Sequence, residues 1–314
     1  MALQWINERA GYFSGAVTIG YIKGEDTGIL IDAGLDKQIA KKVIRQLEAE
    51  SLPLTHLLIT HAHTDHFGGA PTIQQAHPEA SVYAPAFEEA VLAYPLFEPL
   101  YLFQGNEPVK DLRSKFLLGP SVKVDRVIGE GAQKIGEIDV VIHALPGHSH
   151  NQVGLEVDGI LYAADAYLGR RALEKHVIPF QIDAKQVYET LEQLLKLDIK
   201  GALPGHGDYE ETFQETVQVN MKRQEALKVA VEKEVSGRDF ISLSDLVARV
   251  LTFQGLKVEE PGRYALFRTA ILSFVRWLEV EQTASLVVED NVLGLKGGEI
   301  HSKNESNNNE ATLA

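Results

Sequence analysis

Short apolar runs separated by polar, glycine-containing loops occupy the first two thirds of the chain. Residues 16–22 and 28–32 are apolar and β-branched and are joined by a short polar segment, which predicts a β-hairpin. Apolar residues recur at helical spacing between about 37 and 49 and again between 183 and 200, so a helix is expected in each range. Other short apolar runs predict strands, and each is followed by a loop. The pattern indicates a domain that contains both strands and helices.

From about residue 212 onward the spacing of apolar residues becomes mainly helical. A long helix is predicted over 212–234 and an amphipathic helix over 264–280, with a capping residue between them at Ser242. Residues 285–295 predict a hairpin that turns near Asp290. Helices followed by a hairpin resemble a winged-helix unit. The expected division is a catalytic domain at 1–215, a winged-helix-like domain at 216–299 and a disordered tail at 300–314.

Histidines are dense in one loop. His61, His63, Asp65 and His66 follow directly after the apolar run at 56–59. Imidazole and carboxylate groups are the side chains that bind zinc and similar divalent metals in catalytic sites. Since a single metal rarely takes four ligands from so short a segment, the spacing predicts two neighbouring metals.

Three further candidate ligands lie later in the chain. His148, Asp165 and His206 each come just after a predicted strand. Loops held by a rigid scaffold commonly carry function. Asp165 alone would be a weak candidate, because a carboxylate is common in turns. The ordered set of histidines and aspartates indicates a metal site more strongly than any single member does.

The spacing His-x-His-x-Asp-His, with the later single ligands, resembles the metallo-β-lactamase superfamily over about residues 10–215. The resemblance implies an α+β fold, a four-layered αβ/βα sandwich with the metal site at one edge of its two sheets. It also implies the ligand sets of two metals, bridged by Asp165 as in glyoxalase II-like hydrolases. One metal would take His61, His63 and His148, and the second would take Asp65, His66 and His206. In the family, an early aspartate matched by Asp32 supports the metal loops.

The chemistry implied is hydrolysis by a hydroxide held between two divalent metals. Metal coordination lowers the pKa of water toward neutrality, and the hydroxide then attacks the carbonyl of an ester, thioester or lactone. Zinc is the first expectation for nitrogen and oxygen ligands, with manganese or iron as alternatives. Asp65 is the expected proton shuttle, and Tyr167 is a candidate for polarising the carbonyl or holding an oxyanion.

Other members of the superfamily remain alternatives. His63 stands where flavo-diiron oxidoreductases have Glu, and the chain has no cysteine, so the Cys ligand of the commonest true β-lactamases is missing. A metal-dependent phosphodiesterase or endoribonuclease stays open because of the winged-helix-like end, and a mono-iron persulfide dioxygenase shares the motif. A catalytically silent scaffold is disfavoured by the complete ligand set.

Charge and composition limit the partners. The formal net charge is −14, and residues 216–299 carry eleven Lys and Arg against twelve Asp and Glu, which does not indicate a nucleic-acid-binding face. The N-terminus lacks the pattern of a signal peptide, and a cytoplasmic location is expected. We expect a small-molecule acyl, thioester or lactone substrate and no membrane partner. The C-terminal module is expected to pack on the catalytic domain or on a partner subunit of a homodimer.

Residues 85–130 interrupt the strand pattern and are rich in aromatic and aliphatic side chains. The segment forms either a helix pair packed on the sandwich, with most of these side chains in the core, or a lid over an apolar pocket. On the lid hypothesis the stretch from Phe87 to Phe103 accepts an acyl or lactone group, and Tyr94 and Phe97 are candidates for contacting it. His150 and His176 are expected to be surface or structural histidines, although either could reach the site. Four other histidines show no spacing that links them to the metals: His56, His77, His143 and His301.

Overall fold

The structure, a computed structural model, describes residues 1–298. The predicted tail at 300–314 and His301 lie outside the described residues.

Two sheets face each other. The first contains β1 (Leu3–Trp5), β2 (Ala10–Phe13), β3 (Ile19–Lys23), β4 (Gly28–Ile31), β5 (His56–Leu58), β6 (Ser81–Pro85) and β7 (Arg126–Ile128), in that order. The second has the order β12-β11-β10-β9-β8 and contains β8 (Gly131–Ile135), β9 (Ile138–Ala144), β10 (Val153–Val157), β11 (Ile160–Ala164) and β12 (Gly201–Pro204).

Each sheet combines antiparallel and parallel pairing. In the first sheet β1 to β4 pair antiparallel, whereas β4, β5, β6 and β7 pair parallel. In the second sheet β8 to β11 pair antiparallel, and β12 joins parallel to β11. The strands that precede the candidate ligands lie within these sheets, so the loops that follow them are held by ladder hydrogen bonds.

Seven α-helices belong to this part of the chain. They are α1 (Lys37–Ala49), α2 (Thr64–Phe67), α3 (Ala70–Ala76), α4 (Glu88–Ala93), α5 (Phe97–Leu102), α6 (Arg170–Lys175) and α7 (Ala184–Leu194). A short 3-10 helix spans Lys110–Arg113. Asp36 caps the N-terminus of α1: its carboxylate accepts from the N–H groups of Gln38 and Ile39, which contributes about 1 kcal/mol. Its buried face packs against the first sheet.

Strand β3 shows how the layers form. Ile19 and Tyr21 point into the core beneath α1, while Ile22 points into the core between the two sheets. A strand buried on both faces reads as a continuous apolar run, which explains the unbroken pattern in the sequence. A further core lies between the second sheet and α7. The order is therefore helix, sheet, sheet, helix, and the predicted α+β sandwich is confirmed.

The C-terminal part, called the C-terminal unit below, shares a hydrophobic core with Ile178 and Ala184 of the preceding chain. It contains α8 (Phe213–Val235), β13 (Ile241–Ser242), α9 (Leu243–Phe253), α10 (Pro261–Val280), β14 (Ala284–Glu289) and β15 (Val292–Gly297), with strand order β13-β15-β14. The hairpin turns at Asp290 and Asn291, both with positive φ as a two-residue hairpin turn requires. Ser242 caps α9 by accepting from the Asp245 N–H. This order agrees with the predicted helices and hairpin.

The C-terminal unit is packed on the sandwich. Arg223 on α8 donates to the carbonyls of His176 and Val177 at 3.1 and 2.9 Å. The buried amides of Gln181 and Gln224 hydrogen-bond to each other. Packing on the sandwich, one of the two arrangements expected of these helices, is therefore observed. Across residues 1–298, no helix combines the length and apolar character needed to cross a membrane.

Candidate metal centre

The candidate ligands meet at one edge of the sandwich, although they come from four separate loops. His61 and His63 follow β5, and the short helix α2 carries Asp65 and His66. His148 follows β9, Asp165 follows β11 and His206 follows β12. Ligand atoms cluster within 4.8 Å of one another in three groups: His61 with His63 and His148, His61 with His66 and Asp165, and Asp65 with His66 and His206.

Asp165 lies at the middle of the cluster. Its Oδ1 is 3.3 Å from His66 Nε2, and its Oδ2 is 3.3 Å from His148 Nε2 and 3.2 Å from His206 Nε2. Asp65 Oδ2 lies 3.5 Å from the same His206 nitrogen. One buried carboxylate therefore faces histidines from both of the outer ligand groups.

Four of the histidines are oriented by a contact at Nδ1. The Nδ1 atoms of His148 and His206 lie 2.9 and 2.8 Å from the carbonyls of Phe180 and Ala16, to which they donate. His66 Nδ1 lies 2.7 Å from Asp32 Oδ2. His61 Nδ1 lies 3.0 Å from Thr60 Oγ1, and that hydroxyl itself donates to Asp32. A partner at one ring nitrogen fixes the tautomer and leaves Nε2 free to bind a metal.

His63 is oriented the other way. Its Nδ1 lies 2.8 Å from His148 Nε2, so the atom that faces the cluster is Nδ1. The Phe180 ring packs edge-on against both imidazoles, with centroid distances of 5.3 and 5.9 Å. Two ring nitrogens at this distance can share a proton or bind the same cation.

The environment keeps one group of histidines neutral. Burial lowers the pKa of His61 and His63 well below the ordinary imidazole value, and neighbouring histidines lower it further. Burial also lowers the pKa of His148, although Asp165 opposes this. Neutral imidazole is the form that binds a metal, so this group is prepared for coordination.

Asp165 is held in its ionised form. Burial alone would raise its pKa, but His206, His66 and His148 outweigh burial and hold the pKa well below the usual carboxyl range. Burial likewise opposes charge on His66 and His206, but Asp165 outweighs it, raising the pKa of His66 well above its usual value and that of His206 to about 9. Asp165 therefore attracts positive charge, from protons or from a metal.

Whether these residues fit a metal can be judged from the buried polar atoms that lack a hydrogen-bond partner. His61 Nε2, His66 Nε2 and Asp165 Oδ1 are buried and make no hydrogen bond within residues 1–298, although the last two lie 3.3 Å apart. Buried polar atoms are nearly always paired in proteins. All three atoms belong to the ligand groups, and imidazole nitrogen and carboxylate oxygen are zinc ligands. The residues therefore fit divalent metal ions.

Supporting residues hold the ligand loops. Asp32, with a positive φ of 63°, accepts from both the Thr60 N–H and the Thr60 hydroxyl in addition to facing His66. This is the supporting position expected of it. Gly205 precedes His206 at a point of close approach, because a Cβ there would collide with Asp165 Oδ1 and His66 Cε1. Only glycine leaves room for the cluster at this position.

Glu88 is a supporting residue that the sequence did not reveal. This buried carboxylate on α4 accepts from the Ala62 N–H at 2.9 Å, the Ser149 hydroxyl at 2.8 Å and the Asn151 N–H at 2.9 Å. It therefore joins the loop after β5 to the loop after β9. Nothing in the local pattern distinguishes it from its neighbour Glu89.

A cavity of about 480 Å³ opens beside the ligands, within the usual size range of small-molecule sites. One end is formed by candidate ligands. The remainder is mostly apolar and includes Leu256, Leu266 and Phe267 of the C-terminal unit, together with the loop 177–180. Lys175 and Arg263 also line it. The second unit thus contributes part of the cavity wall.

The lid prediction is wrong for its aromatic residues. Of the segment from Phe87 to Phe103, only Glu98 lines the cavity, and Tyr94 and Phe97 are 68% and 47% exposed. The short helices α4 and α5 bury their aliphatic residues instead and turn these rings outward. From the wider stretch 85–130, Phe116 and Leu117 do reach the cavity.

The remaining candidate residues differ in whether they line the cavity. Tyr167 lines the cavity and is buried, and its hydroxyl has no hydrogen-bond partner in the described part of the chain. Burial, with Glu210 nearby, raises its pKa well above the usual range. His176 also lines the cavity, whereas His150 packs on Phe87 at 4.4 Å. His143 pairs with Glu156, away from the metal ligands.

The protein belongs to the metallo-beta-lactamase superfamily, whose sequence profile matches residues 13–206. This match begins at β2 and ends at the last candidate ligand, so it spans the sandwich and the cluster. The superfamily predicted from the motif is thereby confirmed.

Among curated relatives, a hydroxyacylglutathione hydrolase of Vibrio campbellii is 28% identical over 165 residues, 52% of each chain. A hydroxyacylglutathione hydrolase of Methylobacillus flagellatus is also 28% identical over 165 residues, 52% of this chain and 53% of that protein. The chain thus spans about half the length of these relatives.

Two solved structures share the fold over nearly the whole chain. A beta-lactamase domain protein from Burkholderia ambifaria has a TM-score of 0.69 at 17% identity, covering 94% of this chain and 95% of that one. A metallo-beta-lactamase family protein from Thermus thermophilus has a TM-score of 0.64 at 17% identity, covering 90% and 93%. Because the matches cover 90% or more of this chain, the likeness includes most of the C-terminal helices. Because the sequences are only 17% identical, the likeness concerns the fold alone.

Proposed function

We propose that this protein is a dinuclear metal-dependent hydrolase of carbonyl esters, thioesters or lactones. The observation that carries the proposal is the position of Asp165, whose two oxygens face His66, His148 and His206 at 3.2 to 3.3 Å. A carboxylate placed between two ligand groups is suited to bridging two metals. Sites with two metals are a recurrent solution for hydrolysis.

The remaining ligands divide on either side of Asp165. His61, His63 and His148 would hold one divalent ion, and Asp65, His66 and His206 would hold the other. Zinc fits nitrogen and oxygen ligands best, and manganese or iron are alternatives. Metals bound there supply an activated water at neutral pH and polarise the substrate carbonyl.

Two residues of the cavity are assigned roles beyond holding metals. Asp65 lines the cavity and its side chain is 37% exposed, so it can pass a proton between the centre and the substrate. Tyr167 is buried with an unpaired hydroxyl at the cavity wall. That hydroxyl is available to donate to a substrate oxygen.

A carbonyl substrate is favoured over a phosphodiester for two reasons. The curated relatives are named hydroxyacylglutathione hydrolases, and an acyl group on the thiol of glutathione is a thioester. The chain also carries a net charge of −14, whereas binding to a nucleic-acid backbone requires a positive track. The C-terminal unit, whose winged-helix character we also propose, then serves to complete the cavity.

Metal analysis combined with a substrate panel tests the proposal. Protein purified without chelator should contain close to two equivalents of zinc, manganese or iron. It should cleave members of a thioester, ester and lactone panel and should not bind single-stranded RNA tightly at physiological salt. Faster cleavage of RNA, abolished by His63→Ala, would establish the phosphodiesterase alternative. A single iron with oxygen consumption on a persulfide would establish the dioxygenase.

A further inference from the structure

One of the candidate metal ligands is oriented by the loop between α6 and α7. His148 donates from Nδ1 to the carbonyl of Phe180 at 2.9 Å, and the two rings pack edge-on with a centroid distance of 5.9 Å. The same loop ends in the N–H groups of Ile182 and Asp183, which both donate to the carbonyl of Gly147, the residue before His148. The orientation of this imidazole therefore depends on the position of the loop.

The other histidines with a contact at Nδ1 take their partners from the sandwich. His206 donates to a carbonyl of the segment between β2 and β3, and His66 faces Asp32, which follows β4. His61 faces the hydroxyl of Thr60, its neighbour in the chain. A displacement of the C-terminal unit would leave these three partners in place. The ligand that follows β9 differs from them, because its partner lies on a loop that the C-terminal unit contacts.

Two successive residues of α8 hold that loop. Arg223 donates to the carbonyls of His176 and Val177 at 3.1 and 2.9 Å. Gln224 donates to Gln181 Oε1 at 2.7 Å, and Gln181 Nε2 donates back to Gln224 Oε1 at 3.0 Å. Gln181 directly follows the residue whose carbonyl orients the metal ligand. Helix α8 therefore fixes the chain on both sides of that carbonyl.

The pair of glutamine amides is shielded from water. Gln181 is 1% exposed and Gln224 is 4% exposed, and Gln181 Nε2 also lies 3.3 Å from Ser273 Oγ on α10. Ile178 of the same loop packs in the core that this part of the chain shares with the C-terminal unit. Apolar packing tolerates small shifts, whereas two reciprocal buried hydrogen bonds require one geometry. The glutamine pair therefore sets the position of the loop against α8.

We propose that Gln224 is a positioning residue through which the C-terminal unit sets the orientation of the metal ligand His148. The contacts lead from Gln224 to the side chain of Gln181, along one peptide unit to the Phe180 carbonyl, and from that carbonyl to His148 Nδ1. The inference rests on the metal binding of the proposed function. It gives the C-terminal unit a role in metal affinity, beyond completing the cavity wall.

Zinc titration of the full chain tests this role. Gln224→Met keeps the length of the side chain and removes the amide that pairs with Gln181. Since loss of the partner of a ligating histidine weakens metal binding by 10- to 100-fold, one of the two zinc-binding steps should weaken by roughly tenfold. The other step should keep its affinity, because its ligands are oriented by the sandwich. Competition with a chromophoric chelator measures both steps.

The hydrogen bond of His148 gives a second readout in the zinc-loaded protein. The Nδ1–H groups of His148 and His206 donate to carbonyls, so both should give slowly exchanging protons in imidazole ¹H–¹⁵N spectra. Contacts with Phe180 and Ala16 assign them. Gln224→Met should speed the exchange of the His148 proton and leave that of His206 unchanged. Equal acceleration of both protons would indicate general loosening of the fold and would overturn the proposal.

A double variant separates positioning from stability. Gln181→Met with Gln224→Met removes both amides, so neither is left buried without a partner, and Ser273 keeps its bond to the Ala270 carbonyl. Replacing both partners by apolar groups of similar shape is nearly neutral for stability. The double variant should therefore unfold at the denaturant concentration of the wild type and still show the weakened zinc step. Recovery of zinc affinity together with stability would mean that Gln224 only stabilises the fold, which would overturn the proposal.

Tyr188→Phe is the matched control. It removes a 2.7 Å hydrogen bond from α7 to Glu225, the residue after Gln224 on α8, and Tyr188 does not line the cavity. Both zinc steps and both histidine protons should match the wild type. A weakened zinc step in Tyr188→Phe as large as that in Gln224→Met would contradict the specific role of Gln224.

The two readouts use no substrate, so failure of this inference is distinguishable from failure of the proposed function. A wild type that binds two zinc ions and cleaves no thioester, ester or lactone refutes the proposed hydrolase, while the zinc steps and exchange rates still decide the role of Gln224. A wild type that cleaves such a substrate, and whose Gln224→Met variant binds zinc equally well with an unchanged His148 proton, refutes the positioning role alone.

Discussion

At the ligand end of the cavity each of four histidines is fixed by a hydrogen bond at Nδ1, whereas at the far end the wall consists of α10 side chains held by packing. The Phe180 carbonyl that orients His148 is an example of the first kind of constraint. Phe267, which lines the cavity, is an example of the second. Hydrogen-bonded groups require one geometry, while apolar packing tolerates substitutions of similar volume. Metal binding and substrate selection should therefore be separable by mutation.

The largest effect is expected where the two ligand groups meet. Asp165→Ala removes the carboxylate that faces three histidines, so it should abolish metal binding and lower kcat/KM by more than about 100-fold, beyond the usual effect of outer-sphere changes. His206→Ala should behave alike. Metal content by elemental analysis, activity and circular dichroism measure this. The sandwich should remain folded, because both residues follow strands and do not form its core.

Asp139→Ala is the matched control for Asp165→Ala. Asp139 lies on the same sheet but is exposed and pairs only with Lys134 among the residues described. Its removal should change neither metal content nor turnover. An Asp165→Ala variant that keeps two equivalents of metal and near-wild-type turnover would show that the bridging assignment is incorrect.

A smaller but still clear effect is expected from Glu88. Glu88→Gln keeps the volume but replaces one acceptor oxygen with a donor, so at least one of its three donors loses its partner. The free energy of unfolding should fall by about 1–3 kcal/mol, and metal affinity should fall by roughly 10- to 100-fold. Denaturant unfolding and competition with a chelator measure the two effects.

Glu89, the neighbour of Glu88 on α4, is the matched control. Glu89 makes no hydrogen bond or ion pair through its side chain with the residues described, so Glu89→Gln should leave both quantities unchanged. If Glu88→Gln and Glu89→Gln were equally stable and bound metal equally well, Glu88 would not be joining the two loops.

At the far end of the cavity, a substitution should alter substrate selection and leave metal binding unchanged. Phe267→Ala enlarges the cavity beside α10, so kcat/KM for long acyl chains should fall by roughly tenfold, while acetyl substrates are affected little. Metal content should stay at the wild-type value. Phe253→Ala is the control, because Phe253 lies in the same unit, is exposed and does not line the cavity. Loss of metal in Phe267→Ala would contradict the separation of the two ends.

The sequence predicted the ligand end far better than the substrate end. Helix α1 has the predicted bounds of 37–49, since its apolar residues recur at helical spacing. The candidate ligands could be found because imidazole and carboxylate at strand ends are rare without a function. That signal identifies residue types, however, and it does not give their distances or the assignment to two metals.

The residues that line the cavity could not be predicted from the sequence in the same way. An apolar residue on an amphipathic segment faces either a core or a cavity, and periodicity does not distinguish the two. Tyr94 was therefore a candidate for lining the cavity, whereas Phe267, which does line it, was not distinguished from core residues of its helix. Glu98 had a weak signal, because it is an acid flanked by Phe97 and Pro99 in an apolar stretch.

The smallest effect is expected at Tyr94, where the sequence had predicted a shift in substrate preference. Its ring is 68% exposed and lies near Phe97 at a centroid distance of 6.0 Å, outside the cavity. Tyr94→Ala should therefore change the free energy of unfolding by no more than about 0.5 kcal/mol and should leave the ratio of kcat/KM between long and short acyl substrates unchanged. The same substrates used for Phe267→Ala measure it. A shift as large as that of Phe267→Ala would mean that α4 and α5 close over the substrate, since only such a movement could bring an exposed ring to the cavity.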